Sequence, residues 1–296
     1  MAYHHLLLYM LPIYFVGEWH HKNKRALELL PHARPWKGER DGMILVNHLD
    51  EHIIQHYDNV IVGPGVNFKQ ALDYCKDYRG HQIIRFNTLS PWNKNLYDTY
   101  SPNPKVNYIT LPFPVEVERF RPAEKKKRFF IYIKHVENDR IEQISNLVHQ
   151  CSNLLTEYEY RTFTYGSYQE DDYLEYIQSA QFGIWVDAHE SQGFALEEAL
   201  SCDCPLFVYD ITSMKDECED SGHHPWAHIP FDLPATSASY FDDSCGMICR
   251  EKDKLFNRFL SFFQVVPRFT PRQFVLEHLT SKQFIEHLKE IIKITA

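Results

Sequence analysis

Short apolar runs alternate with amphipathic stretches along most of this chain. Leu6 to Met10, Met43 to Val46, Val60 to Val62, Ile83 to Phe86 and Tyr108 to Leu111 carry almost no polar residues. Runs of that length without alternation suit strands buried on both faces. Between them, Lys22 to Leu30, Glu51 to Tyr57 and Phe68 to Tyr78 have helical periodicity. The pattern then pauses at Leu111 to Pro122, where Pro112, Pro114 and Pro122 disfavour both ladders and helices. It resumes with strands at Phe129 to Ile133, Arg161 to Thr164, Phe182 to Val186 and Leu206 to Tyr209. Helices are expected at Ile141 to Leu155, Asp171 to Ala180, Phe194 to Ser201, Phe256 to Phe263 and Thr280 to Ile292. Strands alternating with helices predict parallel sheets covered on both faces, and the proline stretch predicts a domain join.

The stretch Phe182 to Asp210 carries the densest chemistry. It reads as strand, polar loop, helix and strand, with Pro205 barring any continuation of the helix. Its loop falls at the carboxyl end of a strand, where parallel sheets place ligands. Glu190 and Glu198 are separated by seven residues, with Gly193 where loop becomes helix. A glycine lets backbone approach a ligand, and the first helical turn presents N–H groups to an anion. Carboxylates on either side can accept hydrogen bonds from sugar hydroxyls, one before the helix and one a turn inside. Taken alone, the pattern equally fits a helix cap with solvated glutamates. Gly63-Pro64-Gly65 is a turn that would serve a cleft wall or simply reverse the chain.

A length of 296 residues suits two domains, and 44% hydrophobic residues exclude a disordered chain. Net charge is −9, divided as +2 over residues 1–122 and −11 over 123–296. That acidity argues against nucleic acid as a partner. Seven cysteines form no C-x-x-C pair, which reads as a reduced, cytoplasmic protein. Cys202 and Cys204 flank Asp203, a spacing open to a metal but more ordinary for buried thiols. The beginning of the chain lacks the basic start and small-residue end of a signal peptide, and no apolar run reaches membrane-span length. At most a peripheral membrane contact is expected.

With those residues in view, Glu190 to Asp210 resembles the E-x7-E segment of retaining glycosyltransferases of family 4 (glycosyl transferases group 1). The glutamates, Gly193, Phe194, Ala199 and Pro205 match the usual form E-G-F-G-x-x-x-x-E-A-x-A-x-G-x-P. Ser191 and Gln192 stand where the family has one residue before its first glycine, and Ala195 and Asp203 replace later glycines. Leu111 to Pro122 resembles the family's interdomain linker, with Phe120 and Pro122 in register, and Ser239 to Cys249 resembles its last strand and turn. The resemblance covers about residues 105–250 by sequence and the first hundred by architecture alone.

The resemblance implies an α/β fold with two Rossmann-like domains facing a cleft (GT-B type), the N-terminal one abbreviated. An acceptor-side domain would cover 1–118 and a nucleotide-sugar domain 119–280, with 281–296 a closing helix able to cross back to the first domain. The loop after Phe129 to Ile133 would hold the donor diphosphate, placing His135 at the family's arginine and Arg140 at its lysine, with Lys134 adjacent. Lys134 and Arg140 then serve as cations on the phosphates, beside the helix start at Gly193 and Phe194. Glu190 would orient the donor sugar and Glu198 the ribose, with Ser191 and Gln192 in the loop. The turn Tyr165, Gly166, Ser167 and Tyr168 would lie beside the base, where Tyr168 either stacks or simply packs. The implied activity is retaining transfer from a nucleotide-diphosphate sugar to a hydroxyl of a glycan, glycoconjugate or lipid-linked acceptor. No cofactor is implied, and no metal, since the chain has no Asp-x-Asp motif. A nucleotide-sugar epimerase, a phosphorylase, or a silent nucleotide- or glycan-binding paralogue would use the same fold.

Overall fold

The computed structural model describes residues 12–47, 50–65, 68–136, 138–214 and 234–293. The expected first strand at Leu6 to Met10 lies outside the described residues. The chain divides into two compact units, one of residues 1–114 with 279–296 and the other of 115–278. It passes from the first unit to the second between Pro114 and Val115.

The first unit is built on a parallel sheet of six strands: β1 (Ile13–Val16), β2 (Ala33–Pro35), β3 (Met43–Val46), β4 (Val60–Val62), β5 (Ile84–Asn87) and β6 (Val106–Ile109). Their spatial order is β2-β1-β3-β4-β5-β6. β3 and β4 are buried at every position, which accounts for their uninterrupted apolar sequences. β2 is an edge strand with Arg34 and Pro35 exposed, and an edge is where a sheet tolerates proline. The helices of this unit are α1 (His21–Glu28), α2 (Glu51–His56), α3 (Phe68–Asp77) and α4 (Pro91–Tyr100). Asp50 caps α2 by accepting from the His52 and Ile53 amides. Pro91 begins α4 at a position where no N–H is needed.

The second unit holds a parallel sheet of five strands: β7 (Arg128–Lys134), β8 (Glu159–Thr164), β9 (Phe182–Asp187), β10 (Leu206–Tyr209) and β11 (Gly246–Cys249). They are ordered β11-β10-β9-β7-β8. The helices are α5 (Asn138–Gln150), α6 (Glu170–Ser179), α7 (Phe194–Ser201), α8 (Leu255–Val265) and α9 (Pro271–His278). A fifth helix of the first unit, α10 (Ser281–Lys293), ends the described chain. Phe129, Phe182, Phe207, Phe259 and Phe262 build one side of the second core, with the Phe129 and Phe182 rings stacked 5.0 Å apart. On the other side of the strands Trp185 stacks on Tyr132 at 3.9 Å. Arg272 of α9 ties this unit together, donating to the carbonyls of Phe120 at 3.1 Å, Ser201 at 2.6 Å and Val117 at 3.2 Å.

Strand order fixes where this sheet presents a crevice. From β7 the chain crosses to β8 on one side, and from β9 it crosses to β10 on the other. The switch in direction therefore lies between the carboxyl ends of β7 and β9, where the connecting loops part and leave a crevice.

Candidate functional site at the carboxyl edge of the second sheet

Lys134 ends β7 and Asp187 ends β9, and the two are direct partners across the parallel ladder. They sit at the switch point. The Lys134 ammonium forms an ion pair with Glu190, three residues beyond β9, and both side chains are largely buried. Lys134 also lies 4.8 Å from the centre of the Tyr165 ring, and the His135 ring is 5.1 Å from the same tyrosine. His135 has φ of +50°, so the chain leaves β7 in the left-handed region and turns sharply. Four of the sequence-derived candidates (Lys134, His135, Tyr165 and Glu190) thus come together from three loops.

Gly193 has φ of +97° and is the N-cap of α7, so the capping position itself carries no side chain. A Cβ at this position would meet only ordinary contact, 3.6 Å from the Glu190 Cβ. It is the backbone angle, rather than space, that calls for glycine. Gln192 is buried and donates to the carboxylate of Glu197 at 3.0 Å, holding the loop against the helix it precedes.

Glu198 is only 2% exposed, so the reading of a helix cap with solvated glutamates does not describe it. Burial raises the pKa of Tyr168 to about 12, and the charge of Glu198 adds to the rise. Tyr168 itself packs among Phe163, Tyr132 and Tyr173. Tyr165, at 46% exposure, presents the more open ring, and Gly166 beside it has φ of +78°. Arg140, in the first turn of α5, lies with its guanidinium 4.0 Å from the centre of the Tyr209 ring and donates to the Tyr209 carbonyl. It therefore occupies the same sheet edge one strand further along, at the end of β10.

Three acids that the sequence reading left out belong to this edge. Burial raises Asp187 to a pKa of about 7, against the opposing attraction of Lys134, and the charge of Asp210 adds to the rise. Neither Asp187 oxygen has a hydrogen-bond partner of ordinary geometry. Glu197 is fully buried beside Gln192. Asp210, one residue past β10, accepts hydrogen bonds from Thr236, Ser237 and Arg250. Asp187 ends β9 and Asp210 directly follows β10, each at the close of an apolar run, a position that itself marks the functional edge of a parallel sheet. Among the described residues no group of three or more His, Cys, Asp or Glu could hold a metal ion. Cys204 is buried with its thiol raised to about 12, which leaves it protonated and unreactive.

No protein-family model matches this sequence, and no curated protein matches it. Solved structures do share its architecture. The pneumococcal O-GlcNAc transferase GtfA, in complex with UDP and GlcNAc, superposes with a TM-score of 0.52 at 10% identity over 86% of this chain and 57% of that one. A variant of S. aureus TarM, in complex with fondaparinux, alpha-GlcNAc-glycerol and UDP, gives 0.56 at 10% identity over 90% of this chain. With two parallel Rossmann-like sheets already in place, that likeness decides the architecture. The chain has a GT-B fold. It spans 57% of the length of each of these GT-B structures, and at such low identity the likeness concerns the fold.

Proposed function

We propose that this GT-B protein is a metal-independent, retaining glycosyltransferase that moves a sugar from a nucleotide-diphosphate sugar to an acceptor hydroxyl. The observation that carries this is the meeting of Lys134 and Glu190 at the switch point of the second sheet, beside an α7 whose N-cap is a glycine. A cation and a ring of helix N–H groups suit a diphosphate, while adjacent carboxylates suit sugar hydroxyls. GtfA and TarM are each in complex with UDP, which supports a nucleotide-linked donor.

In this reading Lys134, Arg140 and the first turn of α7 hold the diphosphate and stabilise the charge that develops as it departs. Glu190 exchanges its ion pair for hydroxyls of the donor sugar. Glu198 takes the ribose, and Tyr165 and Tyr168 lie on the side of the base. The bond from the sugar C1 to the diphosphate oxygen breaks while the acceptor oxygen bonds C1 on the same face. The acceptor proton passes to the departing diphosphate. The second unit carries the donor in this scheme, and the first unit the glycan, glycoconjugate or lipid-linked acceptor.

Incubating the protein with a panel of nucleotide sugars and saccharide acceptors, with and without EDTA, tests the proposal. The expected product is an α-linked sugar from an α-linked donor, formed equally well in the chelator. An epimerised donor without transfer, or activity abolished by EDTA, would overturn it.

A further inference from the structure

Glu190 sits in a loop without regular structure, yet its backbone is fixed on both sides. Its amide donates to the Thr236 carbonyl at 3.0 Å, and its carbonyl accepts from the Ser239 hydroxyl at 2.5 Å. Both partners come from one short segment between β10 and β11. That segment is shaped by a single buried carboxylate. One oxygen of Asp210 accepts from the Ser237 amide at 2.8 Å and the Ser237 hydroxyl at 2.9 Å. The other accepts from the Thr236 hydroxyl at 2.8 Å and from Arg250 at 2.9 Å. The Thr236 hydroxyl in turn accepts from the Ala238 amide at 3.0 Å, closing the turn.

We infer that Asp210 is a positioning residue for Glu190, acting through the Thr236–Ser239 segment as a clamp. The inference rests on the proposed role of Glu190 at the donor sugar. A side chain that must meet particular hydroxyls needs its backbone held to a fraction of an ångström. The E-x7-E loop does not supply that restraint itself, because its regular structure begins only at Phe194. Asp210 supplies it from the neighbouring strand. Four donors converge on a carboxylate whose side chain is fully buried, two on each oxygen. The same clamp reaches the helix start, since the Ser237 carbonyl is 3.8 Å from where a Cβ of residue 193 would stand. An amide at position 210 keeps an oxygen for Ser237 but turns donors toward Thr236 and Arg250.

Hydrogen exchange on the full-length, ligand-free protein tests this without reference to activity. In Asp210→Asn the amides of residues 188–192 should exchange about tenfold faster, while those inside β9 and α7 keep their wild-type rates. Unchanged exchange in that loop, or acceleration spread evenly over the unit, would overturn the inference. Should Asp210→Asn fail to fold, Thr236→Val removes one arm of the clamp and should accelerate the same amides by a smaller factor. Calorimetry then separates positioning from general support. Asp210→Asn should bind UDP as wild type does but lose several-fold of any added affinity for UDP-GlcNAc. Equal losses for both ligands would show a purely structural role. A wild-type protein that binds neither would count against the donor reading, and the exchange result would still decide the clamp.

Discussion

Glu190 and Glu198 share an E-x7-E spacing but differ in environment, and the difference sets separate expectations. Glu190 is held by Lys134, whereas Glu198 is buried, with its charge acting on Tyr168 and Tyr173. Glu190→Ala should cut turnover severely while UDP binding holds or tightens, because Lys134 is then released for phosphate. Glu198→Ala should weaken donor binding by roughly 1.5–3 kcal/mol, the worth of hydrogen bonds to a charged acceptor. Steady-state kinetics with calorimetry check both, and wild-type behaviour in the two variants would remove them from the site. Asp187 gives a pH signature. Buried at the switch point, it keeps its proton up to about pH 7 in the folded protein, whereas an unfolded aspartate ionises near pH 4. Folding therefore takes up a proton between those values, so the stability present below about pH 4 falls as pH rises and is lost by about pH 7. Asp187→Asn should gain stability relative to wild type at pH 8 compared with pH 5. Urea unfolding at the two pH values checks this, and an equal difference at both would contradict it.

At the scale of elements, legibility in the sequence followed burial. β3, β4 and β10 are buried at every position, and their uninterrupted apolar runs give them away. β2 is a three-residue edge strand of Ala, Arg and Pro, with no periodicity to read. β1 begins at Ile13, directly after Pro12, which looks like an interruption of the apolar run but only precedes the strand. α4 opens on Pro91, so its first residue reads as a breaker although it is a favoured helix start. Within the site, the E-x7-E loop was legible because its residues are contiguous. The Asp210 clamp was not, since its partners lie 26 and 27 residues away and meet only through the fold. Arg272 is a similar case, joining α9 to the end of α7 and to residues 117–120. Arg272→Ala should lower the unfolding free energy by about 3 kcal/mol, because it strips three partly buried carbonyls of a charged donor. Chemical denaturation would show this, and an unchanged midpoint would mean that water replaces the guanidinium at no cost.

Across the whole molecule, residues 123–296 carry a net charge of −11, yet the proposed ligand is an anion. Binding must therefore come from local geometry, with Lys134, Arg140 and the α7 amides overriding an unfavourable background. Added salt should screen that background more than the buried contacts, so affinity for a nucleoside diphosphate should fall little or even rise with ionic strength. No described helix is long and apolar enough to cross a membrane. The central claim is that the carboxyl edge of the second sheet holds a nucleoside diphosphate through Lys134. Calorimetric titration of the full chain with UDP, GDP and ADP, repeated on Lys134→Met, tests it most directly. The account predicts saturable 1:1 binding of at least one of them, weakened about tenfold or more by the substitution. Binding of none of the three, or binding unaffected by Lys134→Met, would contradict it.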